Sequence, residues 1–149
     1  MTTVHTPTTS PGPARVPIRD GLLSAPLENL ELVRLMGSRC DACGETTLGT
    51  NRVCPNCGKP EPRTLPMSRR GVLWTYTVVH HRPPGDYRGP DPFVPFALGL
   101  VELPEGLRVL APIAGDPAVV RIGMSLEFRA AVRPGSAGPE VVVFAFHAI

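Results

Sequence analysis

Lysine is almost missing from this chain: Lys59 stands alone, and arginine supplies the rest of the 15 basic residues. Arginine forms planar forks on carboxylates and phosphates that lysine does not match, although an even preference for it is also the mark of a GC-rich coding sequence. A strong charge of either sign is missing too. With 13 acidic residues and a net charge of +2, whole-molecule electrostatics select no polyanionic or polycationic partner. No apolar run approaches the ~20 residues that a membrane-spanning helix needs. The first 17 residues lack the hydrophobic core of an export signal, so a cytoplasmic location is expected, where paired cysteines bind metal more often than they form disulfides. Glycine-rich loops of the P-loop or Rossmann kind are absent. So is any Ser, Cys or carboxylate at a spacing that suggests a nucleophile with its base.

What the chain does have is punctuation, with 19 prolines and 15 glycines in 149 residues. Many sit in a Thr/Pro/Ser-rich stretch over residues 1–17, expected to be a flexible tail. The others fall between apolar runs, the pattern of a loop-rich β protein. Residues 18–62 are read as one module and 63–149 as a second. In the first, Leu22, Leu23 and Leu27 recur at near-helical spacing and predict a short helix over 20–29, too short to stand without docking. Residues 31–40 predict a strand. In the second, β-branched and aromatic residues are dense over 71–81. Further strands are predicted over 93–103 and 107–113, around the turn Pro104-Glu105-Gly106. Two more, over 125–132 and 141–148, flank a Pro/Gly loop. Five strands with no sustained helical period fit a small Greek-key barrel of the OB type; an SH3-like barrel or a small sandwich leaves nearly the same trace. The fold class expected is mainly β: a short N-terminal helix and a rubredoxin-like ribbon, then a five-stranded OB-fold barrel.

The strongest motif is a doubled cysteine pair, Cys40-Asp-Ala-Cys43-Gly44 and Cys54-Pro-Asn-Cys57-Gly58. Two residues between cysteines let both sulfurs of a pair reach one ion at ~2.3 Å, and two such turns complete a tetrahedral four-thiolate shell with no position left for substrate. Gly44 and Gly58 give the backbone freedom that each turn needs. Zinc in a structural role is the expected occupant. Iron in a rubredoxin-like centre, oxidised thiols and a redox dithiol are the alternatives, the last without the βαβ context it requires.

The order of motifs resembles a known family. A leading helical segment comes first, then a ribbon opening with Arg39-Cys40-x-x-Cys43-Gly44. A barrel follows that opens with Gly71-Val-Leu-Trp-Thr-Tyr-Thr-Val-Val-His80 and continues through residues 92–106 and the strand Gly123-Met-Ser-Leu-Glu-Phe128. Over residues 20–149 these resemble the acyl-CoA-associated zinc-ribbon/OB-fold family, long catalogued as a domain of unknown function. The resemblance implies a noncatalytic accessory subunit that stabilises a thiolase or a lipid-transfer-protein-like, thiolase-fold aldolase. A MaoC-like hydratase is the less favoured partner, and a CoA thioester a further ligand to bind or channel.

Within that reading the loop over 82–93 is long for a compact barrel, and long ordered loops are often functional. Arg82, Tyr87, Arg88 and Phe93 are its candidate partner or CoA contacts: aromatic and Arg anchors enriched at interfaces, and guanidinium forks suited to phosphate. His80 and His81 close the preceding strand, but neighbours on a strand point to opposite faces, so a structural role is expected for them. Trp74 and Tyr76 are expected on one face of that strand, where an OB-fold nucleic-acid binder would stack bases. Core packing is the commoner use of such residues. A single-stranded nucleic-acid module is therefore the second function class, opposed by the near-neutral charge and by Arg69-Arg70 being the only basic doublet.

Overall fold

A computed structural model describes residues 13–133 and 138–149 of the chain. These residues form nine strands and one 3₁₀ turn: β1 (Arg15–Pro17), β2 (Met36–Arg39), β3 (Thr46–Leu48), β4 (Arg63–Pro66), β5 (Arg70–Val79), β6 (Phe96–Glu102), β7 (Arg108–Ile113), the turn Pro117–Val119, β8 (Ser125–Arg133) and β9 (Glu140–Ala148). Strands β2, β3 and β4 make a three-stranded antiparallel sheet in the order β3-β2-β4 that carries the cysteine turns. Strands β5 to β9 close on themselves: β5 pairs with β6, β6 with β7, β7 with β9, β9 with β8, and β8 back to β5. Of these five barrel pairings only β7–β9, Ile113 opposite Phe146, is parallel. The result is the five-stranded barrel expected from the sequence.

Period-two alternation fills the barrel. Along β7 the inward residues are Val109, Ala111 and Ile113, each almost fully buried, while Leu110 on the outer face is 60% exposed. Leu73, Ala97, Val101, Leu126, Phe128, Val142 and Phe146 complete the lining. Phe128 meets Phe146 edge-on, with ring centroids 6.1 Å apart, and Phe144 at 5.6 Å.

Three expectations are corrected. Among the described residues there is no α-helix, and residues 20–29 form a chain of turns instead. Pro26 removes a backbone donor and clashes with the preceding turn, so the leucine spacing cannot be read as one helical face. The leucines still do their apolar work: Leu22 and Leu23 are buried in the same cluster as the barrel lining, and Leu27 and Leu30 pack against it. The strand expected over 31–40 is only Met36–Arg39, because residues 29–33 turn back on themselves through Leu32 N–H to Asn29 O and Val33 N–H to Leu30 O. The tail expected over 1–17 lies mostly outside the described residues, but its last three residues form β1, paired in parallel with Glu140, Val141 and Val142 of β9. Arg15 anchors it by an ion pair with Glu140 at 3.5 Å and hydrogen bonds to the carbonyls of Leu27 and Glu28.

No helix among the described residues is long and apolar enough to cross a membrane.

Candidate metal centre and surface loop

Two turns of nearly the same geometry bring the four cysteines together. In the first, Cys40 N–H donates to Glu45 O at 2.9 Å and Gly44 N–H to Cys40 O at 2.8 Å. In the second, Cys54 N–H donates to Lys59 O at 2.8 Å and Gly58 N–H to Cys54 O at 2.9 Å. Gly44 and Gly58 both sit at φ +76°, where a β-carbon would strain the turn, and this explains the glycine after each pair. Leading cysteines Cys40 and Cys54 are each 3% exposed, whereas Cys43 and Cys57 face outward.

All four sulfurs lie within 4.8 Å of one another. The Cys40–Cys57 and Cys43–Cys54 separations are 3.6 and 3.7 Å. A tetrahedron with metal–sulfur bonds of ~2.3 Å has sulfur–sulfur edges of ~3.8 Å, so the thiols already stand where a four-thiolate shell needs them. The four thiols perturb one another's titration. The Asn56 side chain, donating to Cys43 Sγ at 3.6 Å, and the backbone near Glu45 draw the Cys43 thiol down to about 6. At Cys57 the Lys59 backbone acts in the same direction, but desolvation and the other three sulfurs outweigh it and push the thiol up to about 11. Crowded thiols share their protons unequally, and a dication relieves all four.

Sequence reasoning missed the residues that hold these turns in place. Ser38 is 1% exposed; its hydroxyl donates to Gly49 O at 2.7 Å and accepts from Asn51 N–H at 3.0 Å, pinning the approach to the second turn onto β2. Its place just before Arg39-Cys40 was the only signal, and a lone serine there is not distinctive.

The loop after β5 is built differently from the expectation placed on it. Tyr87, Phe93 and Phe96 form a small aromatic cluster with centroids 5.7 to 6.3 Å apart. The Arg82 guanidinium lies over the Tyr87 ring at 5.7 Å. Arg88 is committed to Asp86, donating to both carboxylate oxygens at 2.7 to 3.1 Å and holding that carboxyl below the usual range. Tyr87 and Phe93 thus brace the loop, Arg88 is occupied, and Arg82 is exposed. Tyr87 folds across Gly89, where a β-carbon would overlap the phenol oxygen. Gly89→Ala should therefore swing Tyr87 out of the cluster while changing barrel stability by less than ~1 kcal/mol. The aromatic proton shifts of Tyr87 and Phe93, read with the melting midpoint, check this, and unaltered shifts would count against the bracing role.

His80 and His81 are both exposed. Trp74 and Tyr76 do not share a face: a bulge between Leu73 and Thr75 breaks the pleat. Tyr76 packs on the core, and Trp74 remains 48% exposed. Trp74 is covered by the Arg108 guanidinium, 3.9 Å above its ring, which is paired in turn with Glu102 at 3.0 Å. That stack occupies the surface a base would need and sets a carboxylate beside it.

Comparison with known proteins follows the same two modules. The rubredoxin-like zinc ribbon domain of ChsH2 matches residues 33–63, and the ChsH2 C-terminal OB-fold domain matches residues 65–131. The solved structure of the Ltp2-ChsH2(DUF35) aldolase superposes with a TM-score of 0.60 at 30% identity, over 77% of this chain and 84% of that one. The chain belongs to the ChsH2-type zinc-ribbon/OB-fold family. The benzoylsuccinyl-CoA thiolase subunit BbsA of Thauera aromatica is 29% identical over 86% of this chain and 85% of its own length. A DUF35 domain-containing scaffold protein of Methanocaldococcus jannaschii is 36% identical, over 62% of this chain and 64% of its own length.

Proposed function

We infer that the protein is a noncatalytic, zinc-binding accessory subunit of an enzyme complex that acts on acyl-CoA thioesters. The single observation that carries this reading is the likeness, across both modules, to a subunit of an acyl-CoA thiolase. The partner is a thiolase or thiolase-fold aldolase, and the chemistry belongs to it. Zinc on Cys40, Cys43, Cys54 and Cys57 would hold the ribbon together and take no part in turnover, since a closed thiolate shell offers no coordination site to substrate. The ribbon, the turns over 18–35 and the braced 82–93 loop form the docking surface. Arg82, rather than the occupied Arg88, is the loop cation open to a carboxylate of the partner or a phosphate of CoA.

The test is co-expression with thiolases, thiolase-fold aldolases and MaoC-like hydratases from the same genome, followed by size-exclusion chromatography. Co-elution at a fixed ratio, with acyl-CoA turnover dependent on both chains, is the expected result. Elution as a lone chain in every such pairing would overturn the reading.

A further inference from the structure

Met67, Ser68 and Arg69 carry the chain from β4 of the ribbon into β5 of the barrel, and each is tied down. Met67 is fully buried; its N–H donates to Leu35 O at 2.8 Å, and its carbonyl accepts from Arg34 Nε at 3.1 Å and Nη2 at 2.5 Å. The Arg69 side chain donates to the carbonyls of Glu31 and Val33, while its own carbonyl accepts from Phe128 N–H at 2.7 Å. Ser68, between them, donates its N–H to Glu105 Oε1 at 2.5 Å. Glu105 stands in the turn between β6 and β7 and reaches 37 residues along the sequence to make this bond. Among the described residues it is the only barrel side chain bonded to the joint. Its second oxygen, Oε2, is buried and has no hydrogen-bond partner among them.

These two oxygens act in opposite directions. A carboxylate accepting a backbone N–H makes one of the stronger hydrogen bonds a side chain offers. Burying the other oxygen unpaired forfeits its hydration with no bond in return, and the loss is greater when it is charged. The contact therefore adds little net stability, yet it spans the point where ribbon and barrel meet. We propose that Glu105 is a latch: it fixes the angle between ribbon and barrel, and its unpaired oxygen makes it the first tie of the joint to open. With the latch closed the joint is held at one angle; with it open the modules stay joined through the shared apolar cluster and the Phe128–Arg69 bond but pivot at Ser68. This inference does not depend on which partner binds.

Zinc-loaded full-length protein tests it by nuclear magnetic resonance. Glu105→Ala should speed Ser68 amide exchange about tenfold or more, the loss of roughly one hydrogen bond. Residual dipolar couplings should then need separate alignments for ribbon and barrel, where the unaltered protein needs one. The amides of Cys54 and Leu73 should exchange as before, and Glu105→Gln, which keeps the acceptor oxygen, should return Ser68 to near its original rate. A single common alignment in Glu105→Ala would overturn the latch, because the shared apolar cluster alone would then set the angle. Unchanged Ser68 exchange, parallel loss of protection at Cys54 and Leu73, or a Gln variant behaving like Ala would overturn it equally.

Discussion

Cys54→Ser should release the metal and dissolve the order of residues 40–63 while the barrel keeps its strands. The physical basis is that the ribbon has little core of its own. Its sheet has three strands of three or four residues, and among the ligand turns only Cys40 and Cys54 are buried. In such modules metal binding free energy is folding free energy, on the order of 10 kcal/mol for structural zinc near neutral pH. A serine hydroxyl at Cys54 is a poor ligand, and it leaves three thiols too crowded to ionise together. Metal content should fall from one ion per chain to near none, and amide protection at Cys40, Gly44 and Gly58 should vanish. The barrel's melting midpoint should drop as well, because Val33, Leu35 and Met67 share one apolar cluster with its lining. The direction with pH is also set. Zinc needs deprotonated thiols, so retention should weaken as pH falls and protons compete for the sulfurs. Full metal content with an unchanged midpoint in Cys54→Ser would sink the assignment.

Phe128→Ala should cost roughly 3–5 kcal/mol, the range for removing a large aromatic side chain from a packed core. Phe128 is 1% exposed and sits on β8 between Phe144 and Phe146, and its backbone N–H also closes the joint at Arg69. Around it the cavity has little means of collapse, since a closed barrel fixes its strands on both sides. For a chain of this size the loss should lower the melting midpoint by on the order of 10 °C. Thermal and denaturant unfolding, followed with zinc bound, measure it. A shift within ~1 kcal/mol would mean that the barrel repacks around the gap.

The sequence by itself determined the parts that rest on local or periodic chemistry. The two cysteine pairs with their trailing glycines specify a four-sulfur cluster because the spacing is a property of the turn, whatever the surrounding fold. The five barrel strands were legible because each is a run rich in β-branched, aromatic and other apolar residues with Pro or Gly near at least one end, as with β6 and β7 around Pro104-Glu105-Gly106. Tertiary structure decided the rest, and in each case through a contact distant in sequence or a break in a local rule. Leu22, Leu23 and Leu27 satisfied a helical spacing, but Pro26 and the pull of the barrel core spread them over turns. Trp74 and Tyr76 parted because a single bulge reverses the pleat, and nothing in residues 71–79 announces where it falls. Arg88 looked like a free cation until Asp86 closed on it. β1, Ser38 and Glu105 carry no motif at all: each acts through a partner 11 to 125 residues away, Gly49, Ser68 or Glu140, and only the folded chain brings those atoms together.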